Sequence, residues 1–151
     1  MAEETLITDE VREAIGKEID SVVVEVEKGA IRRIAQAVGD PNPLWQDEEY
    51  AKKSRYGGII ASPTYIASIR TGEGIAALPP VPLKRVLNGG NELEFFHPIR
   101  PGDILTSRRI LADVRQNESS KGKMVVMVLE TTYTNQKGEV VAKNRQSIIR
   151  Y

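Results

Sequence analysis

Ile59-Ile-Ala-Ser-Pro-Thr-Tyr-Ile-Ala-Ser-Ile69 is a segment that is apolar on nearly all sides. Pro63 suits the first turn of a helix, because its missing N–H is a donor that a helix leaves unpaired there. Ser62, directly before it, is a residue type that caps helix N-termini. Because a helix without a polar face has to be covered, the segment predicts a helix buried inside the domain.

Strands are predicted from Asn91 onward, where turn residues separate segments rich in β-branched side chains. The four predicted strands cover residues 92–96, 104–114, 124–134 and 140–149. The stretch Met124-Val-Val-Met-Val-Leu129 is apolar on both faces, which predicts a central strand. A long connection over residues 71–90 contains Gly89 and Gly90 and precedes these strands.

The first half of the chain predicts helices around a single strand. The predicted helices are 9–15 with Thr8 or Asp9 as cap, 27–38 ended by Gly39, and 47–55, and the strand is 21–26. The third helix carries the pairs Glu48/Lys52 and Glu49/Lys53 at i,i+4 spacing. One apolar helix followed by antiparallel strands predicts an α+β fold, with a sheet wrapped around that helix and one domain over residues 1–151.

Composition excludes several classes of function. The 151 residues include 21 basic and 21 acidic side chains, so net charge gives no reason to bind nucleic acid or an anionic membrane. There is no cysteine and His97 is the only histidine, which rules out thiolate nucleophiles and multi-histidine metal sites. The acidic N-terminal stretch has no apolar core of a signal peptide, and no segment reaches the ~18 apolar residues of a membrane span. We expect a cytoplasmic protein.

Four segments in register resemble the MaoC-like dehydratases and (R)-specific enoyl-CoA hydratases. They are Ile34-Ala-Gln-Ala-Val-Gly-Asp-Pro-Asn-Pro-Leu-Trp-Gln-Asp47, Tyr56-Gly-Gly-Ile-Ile-Ala-Ser-Pro-Thr64, Leu87-Asn-Gly-Gly-Asn-Glu92 and Pro98-Ile-Arg-Pro-Gly-Asp103. The likeness extends over roughly residues 12 to 150 and is greatest to the N-terminal, FAS1-like branch of the family. Members of that branch often pair with a second hot-dog domain that carries the catalytic residues.

The resemblance implies a hot-dog fold in which residues 62–71 form the central helix. It also implies hydration of trans-2-enoyl thioesters, or dehydration of (R)-3-hydroxyacyl thioesters, with no cofactor beyond the coenzyme A or acyl-carrier thioester. An edge-to-edge homodimer, or a heterodimer with a second hot-dog subunit, is the expected assembly.

Two positions depart from the family's catalytic pattern. Active members place an aspartate and a histidine five residues apart, and here these positions hold Asp40 and Trp45. An indole has no basic nitrogen and cannot replace a general acid or base, which contributes about 10²–10⁴ in rate. Trp45 is therefore interpreted as a packing residue that closes the substrate tunnel.

The second departure concerns the oxyanion donor. A glycine N–H at the start of the central helix serves this role in active members, and the matching Pro63 has no N–H. Losing such a donor lowers the rate by about 10²–10³. The Ser62 hydroxyl or the Thr64 N–H could substitute in part.

Other candidate residues keep alternative interpretations. Asp40 is either a catalytic remnant or a turn former, and Asn42 is more in keeping with turn chemistry. His97 is far from Asp40 in sequence and is interpreted as structural unless the fold or a dimer mate brings the two together. Tyr56 and Tyr65 are the remaining titratable candidates near the predicted site and are interpreted as packing residues, with Tyr56 also a candidate for substrate binding. The glycines that either allow close approach of an acyl-pantetheine chain or serve only as turns are Gly57, Gly58, Gly89 and Gly90.

Three functional hypotheses follow from these residues. The chain is an auxiliary subunit of a heteromeric hydratase/dehydratase, or an active hydratase that uses Asp40 with water or His97. The third hypothesis is an acyl-CoA-binding module without any reaction.

Overall fold

The protein is built on one sheet of five antiparallel strands, with short helices against it. The computed structural model describes residues 4–70 and 72–151. The helices are α1 (Asp9–Ala14), α2 (Lys28–Ala37), α3 (Glu48–Lys53) and α4 (Tyr65–Ser68). The strands are β1 (Glu18–Glu25), β2 (Val86–Phe95), β3 (Ile104–Ser119), β4 (Gly122–Thr134) and β5 (Val140–Arg150). Within the described ranges, no helix combines the length and the apolar composition that a membrane crossing requires.

The order of the strands in the sheet is β1-β3-β4-β5-β2. The predicted central strand is confirmed, because β4 lies in the middle and buries Val125, Met127, Val128 and Leu129. The two edges are β1 and β2, which are far apart in the sheet although both come before β3 in the chain. The predicted α+β class and the sheet that packs against helices are also confirmed.

Local sequence signals explain where the first helices begin and end. The Thr8 hydroxyl accepts a hydrogen bond from Val11 N across 3.3 Å, which caps α1. The amphipathic helix α2 buries Ile31 and Ala35 and is followed by Gly39 at φ +72. Asp47 caps α3 by accepting from Tyr50 N across 3.0 Å.

The predicted ion pairs on α3 are wrong. Glu48 binds Lys28 of α2 instead of Lys52, and Glu49 lies 3.8 Å from Lys52, at i,i+3. The sequence spacing did not reveal that α2 and α3 approach one another, so that a cation from another helix competes successfully for Glu48.

The predicted central helix is shorter than expected. Its helical part is only α4, and its N-cap is Thr64 rather than Ser62. Pro63 and Thr64 form a turn before it, and Ile69 ends it in an extended conformation that buries the isoleucine. Thr71, the expected last residue, lies outside the described residues. Tyr65 and Ile66 are buried as predicted, whereas the other side of this single turn is exposed.

The strand β2 begins earlier than predicted. The prediction assigned residues 71–90 to a connection, but β2 begins at Val86 and contains Gly89 and Gly90. Gly89 is the extra residue of a bulge, because Asn88 pairs with Ile148 and Gly90 with Ser147. A side chain at Gly89 would approach Ile149 Cδ1 to 3.0 Å, which explains why a glycine fits in this strand.

Candidate functional site

The loop after α2 folds around the carboxylate of Asp40. Asp40 N donates to Ala35 O across 2.8 Å, which attaches the loop to the end of the helix. Asp40 Oδ1 accepts from Asn42 N (3.1 Å), and Asn42 Oδ1 accepts from Leu44 N (3.0 Å). Both side chains therefore serve as turn formers, which is one of the two interpretations of Asp40 and the favoured one of Asn42.

The second carboxylate oxygen of Asp40 is held by Trp45. The indole Nε1 donates to Asp40 Oδ2 across 2.8 Å, and the Trp45 ring is buried with 8% of its surface exposed. Trp45 ends a short 3₁₀ turn, Pro43–Trp45, in which proline and the Asn42 cap fix the backbone. The residue at the histidine position thus donates a hydrogen bond to the motif aspartate, but it has no basic nitrogen and cannot act as a general base.

Trp45 borders two openings of the protein surface. One is a cavity of about 420 Å³, which Ser62, Pro63 and His97 also line. The other is a wide cleft of about 890 Å³, which charged residues of α2 and α3 surround. A large aromatic residue that borders both openings fits the expected role of closing a tunnel, and that role stays a prediction.

His97 enters the same cavity as Trp45 although the two are distant in sequence. The imidazole is half exposed, and its Nε2 lies 3.9 Å from Glu139 Oε2. Asp40 accepts its hydrogen bonds from Asn42 and Trp45, so no Asp40–His97 dyad forms among the described residues. The fold therefore brings the imidazole to the cavity but not to the motif carboxylate.

The predicted oxyanion region borders the same cavity through Ser62 and Pro63. Ser62 is 1% exposed, and its hydroxyl is hydrogen-bonded to the Thr64 hydroxyl at 2.9 Å. Ser62 O accepts from Tyr65 N across 3.0 Å, which completes the turn that leads into α4. Pro63 borders the cavity without a backbone N–H to offer.

The structure brings only part of the remaining candidates to the cavity. Tyr56 lines it, and its ring lies under the Arg55 guanidinium at 4.8 Å. Gly57, at φ +70, and Gly58 form the turn that follows Tyr56. Gly89 and Gly90 lie in β2 and do not border this cavity.

Two buried tyrosines have altered acidity. Burial raises the pKa of the Tyr65 phenol, and the negative charge of Glu27 raises it further. Burial also raises the pKa of Tyr133, against which the Arg109 charge and a hydrogen bond with Thr131 act in the lowering direction. Both phenols therefore stay protonated at neutral pH, and neither acts as a base.

A third cavity, of about 330 Å³, lies between α4 and the inward face of the sheet and was not predicted from the sequence. Its polar lining comes mainly from β2 and β5 and includes Asn88, Asn91, Asn144 and Gln146. The alternation of these amides along two strands was the available signal. That signal was not usable without knowing that β2 and β5 pair.

The sheet, the helix against it and the loop after α2 define a hot-dog domain of the MaoC-like dehydratase type. Residues 13–144 match the model of the FAS1-like dehydratase domain region. The chain belongs to that family.

Relatives and solved structures agree with this assignment. A UPF0336 protein of Thermobifida fusca is 31% identical over 78% of this chain and 77% of its own length. A probable enoyl-CoA hydratase alpha subunit of Thermomonospora curvata is 28% identical over 80% of this chain and 43% of its own length.

Among solved structures, the MaoC-like dehydratase from Rhodospirillum rubrum superposes with a TM-score of 0.71 at 28% identity, over 91% of this chain and 92% of that one. A chain of the ChsH1-ChsH2 complex from Mycobacterium tuberculosis superposes with a TM-score of 0.74 over 93% and 90% of the two chains. At 19% identity the second likeness concerns the fold alone.

Proposed function

We propose that this protein is the auxiliary subunit of an acyl-thioester hydratase/dehydratase. The observation that carries the proposal is the Trp45–Asp40 hydrogen bond. In it, an indole N–H donates to the carboxylate of the motif aspartate, at the position where a histidine is expected in active members. Hydration of a 2-enoyl thioester needs a base that takes a proton from water and an acid that returns one to the substrate. Neither Trp45 nor a doubly hydrogen-bonded Asp40 supplies that pair.

The catalytic imidazole then comes from a second hot-dog subunit. Two likenesses support a partner of this kind, namely the relative named an alpha subunit and the two-component ChsH1-ChsH2 complex. The edge strand β2 offers a place for it, since all ten of its residues are exposed. Exposed edge strands bearing apolar side chains are sites for pairing with another chain. The large apolar residues exposed along this edge are Val86, Leu87, Leu93, Phe95 and, just beyond the strand, Phe96.

The test is hydration of crotonyl-CoA and of a longer 2-enoyl-CoA, followed as loss of absorbance at the enoyl band. The purified chain alone should be inactive. Addition of a second hot-dog chain that carries the aspartate and the histidine should restore activity beyond that of the second chain by itself. Normal turnover by this chain alone would overturn the proposal.

One observation favours a second candidate, an active hydratase with an unusual site. His97 borders the same cavity as Trp45 and Ser62, and it is the only imidazole in the chain. If the chain alone turns over, His97→Gln should abolish the activity, whereas Asn117→Gln on the exposed end of β3 should not.

A further inference from the structure

A band of polar side chains crosses the inward face of the sheet. The register aligns Asp20 of β1 with Arg109 of β3, Arg109 with Thr131 of β4, and Thr131 with Asn144 of β5. On β2 the band continues with Asn91, whose Oδ1 accepts from Asn144 Nδ2 across 3.1 Å. Arg109 and Thr131 are each 4% exposed, so the middle of the band lies inside the fold, whereas Asn91 at its β2 end is exposed.

This band divides the apolar interior into two clusters. The α2 and α4 side chains pack in one cluster with Tyr133 and Ala142, and α1 packs in the other with Met127 and Ile148. Inward positions of a sheet are normally apolar, and a polar group placed there has to be hydrogen-bonded. Each buried polar group of the band therefore needs a hydrogen-bond partner.

The two ends of the band differ in how that need is met. At the β1 end, Arg109 Nε and Nη2 donate to both oxygens of Asp20 at 3.0 and 2.6 Å. Arg109 Nη2 also donates to Gly74 O across 2.7 Å, so this end is closed by protein groups. At the β2 end, the band opens into the cavity of about 330 Å³ beside α4.

One acceptor at the open end has no protein partner. Asn144 Oδ1 is buried and, within residues 4–70 and 72–151, receives no hydrogen bond. Its neighbours around the cavity are neutral amides and two hydroxyl residues, Thr131 and Tyr133, with Ile66 and Leu93 as apolar walls. A ligand that satisfies this lining must bring at least one donor and no net charge.

The open end also lies on the path from the site around Trp45. Phe95 borders the cavity at Trp45, and Leu93, two residues back on the same face of β2, borders the polar cavity. In the segment that leads into α4, Ser62 and Pro63 border the first cavity and Ile66 borders the second. A chain-like ligand with one end at Trp45 can extend between β2 and α4 to Asn144.

From this arrangement we infer that the cavity at Asn144 binds an uncharged hydroxyl- or amide-bearing segment of the thioester, and not a plain alkyl chain. The inference rests on the proposed function, since the ligand is taken to be a thioester. The segment belongs to one of two sources, a polar acyl group or the pantetheine arm of the carrier. Both offer the same chemistry, which is a neutral donor to Asn144 Oδ1.

The experiment measures binding of three probes to the full chain by isothermal titration calorimetry. The probes are hexanoyl-CoA, 6-hydroxyhexanoyl-CoA and D-pantetheine. If the segment is acyl, the hydroxylated thioester should bind about 3- to 10-fold more tightly than hexanoyl-CoA, the gain of one buried hydrogen bond. If the segment is the carrier arm, D-pantetheine should bind even without the rest of the thioester, and the two thioesters should bind with equal affinity.

Replacing Asn144, whose Oδ1 has no hydrogen-bond partner, with leucine tests whether this acceptor binds the ligand. Asn144→Leu should remove the preference for the hydroxylated thioester, or weaken pantetheine binding by about 3- to 10-fold. Asn117→Leu makes the same replacement at an exposed position of β3 outside the cavity and should change neither. The wild-type comparison of the probes needs no variant, so it decides the matter even if Asn144→Leu does not fold.

Three results would overturn the inference. The first is equal or tighter binding of hexanoyl-CoA together with no binding of pantetheine. The second is a polar preference that Asn144→Leu leaves intact in a folded variant. The third is no binding of any probe. The chain would then not bind a thioester at all, and the proposed function would fail together with the inference. In the first two cases thioester binding stands and only the polar cavity is misassigned.

Discussion

Trp45 Nε1 donates a hydrogen bond to Asp40 Oδ2 across 2.8 Å, between the two positions where active relatives are expected to hold a proton-transfer pair. The contact joins the end of α2 to the short 3₁₀ turn and places a buried ring in the wall of two cavities. A hydrogen bond to an ionised group is stronger than one between neutral groups. We therefore interpret this hydrogen bond as one that stabilises the conformation of the loop.

The first prediction concerns the stability that the Trp45–Asp40 hydrogen bond contributes. Trp45→Phe keeps an aromatic ring but removes the donor, and should lower the free energy of unfolding by about 1–3 kcal/mol. Urea denaturation followed by circular dichroism measures it. A double-mutant cycle with Asp40→Ala separates the hydrogen bond from lost packing. A coupling energy near zero would show that the bond stabilises nothing.

The second prediction concerns the missing imidazole. If Trp45 is what prevents catalysis, Trp45→His should give the isolated chain measurable hydration of crotonyl-CoA, a gain of about 10²-fold or more over the uncatalysed background. Adding Pro63→Gly restores a backbone N–H and should raise the rate further, although the two gains need not multiply. Trp45→Phe is the matched control and should stay inactive. Inactivity of a folded double variant would place the defect elsewhere.

The sequence predicted the class of fold because helix stripes, caps and apolar strands are local patterns. The stripe of α2, the Thr8 cap of α1 and the doubly apolar β4 follow from residue order alone. The five-residue spacing of Asp40 and Trp45 likewise places both side chains on one tight loop, where they meet.

What the sequence did not predict depends on pairing between distant segments. Gly89 and Gly90 resemble turn residues, and only the ladder with β5 shows that they form a bulge inside β2. The cavity at Asn144 needs the same ladder, since its amide meets Asn91 only after β2 and β5 pair. The helix α4 is short because Ile69 adopts an extended backbone conformation (φ -75, ψ 114), which the helix signals of the segment do not reveal.

The third prediction concerns the buried ion pair at the closed end of the polar band. The Arg109 and Asp20 side chains are 5% and 11% exposed, so removing one partner leaves an uncompensated charge. Asp20→Ala should destabilise the protein by about 3–5 kcal/mol, and the double variant Asp20→Leu/Arg109→Met should recover most of that loss. Equilibrium denaturation compares the two. Equal destabilisation by the single and double variants would contradict this account.

The fourth prediction concerns the edge strand as the interface with a second chain. Leu87 is 53% exposed on β2, and a charge there would be buried by any partner that pairs with this edge. Leu87→Asp should weaken association, with itself or with a second hot-dog chain, by at least about tenfold. Analytical ultracentrifugation measures the dissociation constant. Val23→Asp places the same charge on the opposite edge strand, β1, where Val23 is 64% exposed, and should have little effect. The reverse pattern would assign the interface to β1.

The fifth prediction concerns alkaline pH. Burial raises the pKa of Tyr133 in the folded state, and the Arg109 charge only partly opposes this. The phenol stays protonated in the fold while its unfolded counterpart loses its proton near pH 10.0, so stability is fully present below that pH. As the pH rises from about 10 towards the raised pKa, the unfolded state releases the proton first and stability falls.

The measurement for this prediction is the free energy of unfolding between neutral and strongly alkaline pH, with tyrosinate absorbance recorded alongside. Tyr133→Phe should flatten the alkaline decline, because phenylalanine has no proton to release. Tyr65→Phe should flatten it as well, since burial and Glu27 raise the pKa of Tyr65 in the same direction. Tyr50→Phe removes an exposed phenol and controls for the loss of one tyrosine. An unchanged slope in both buried variants would mean that neither phenol resists ionisation in the fold, and that the alkaline sensitivity has another origin.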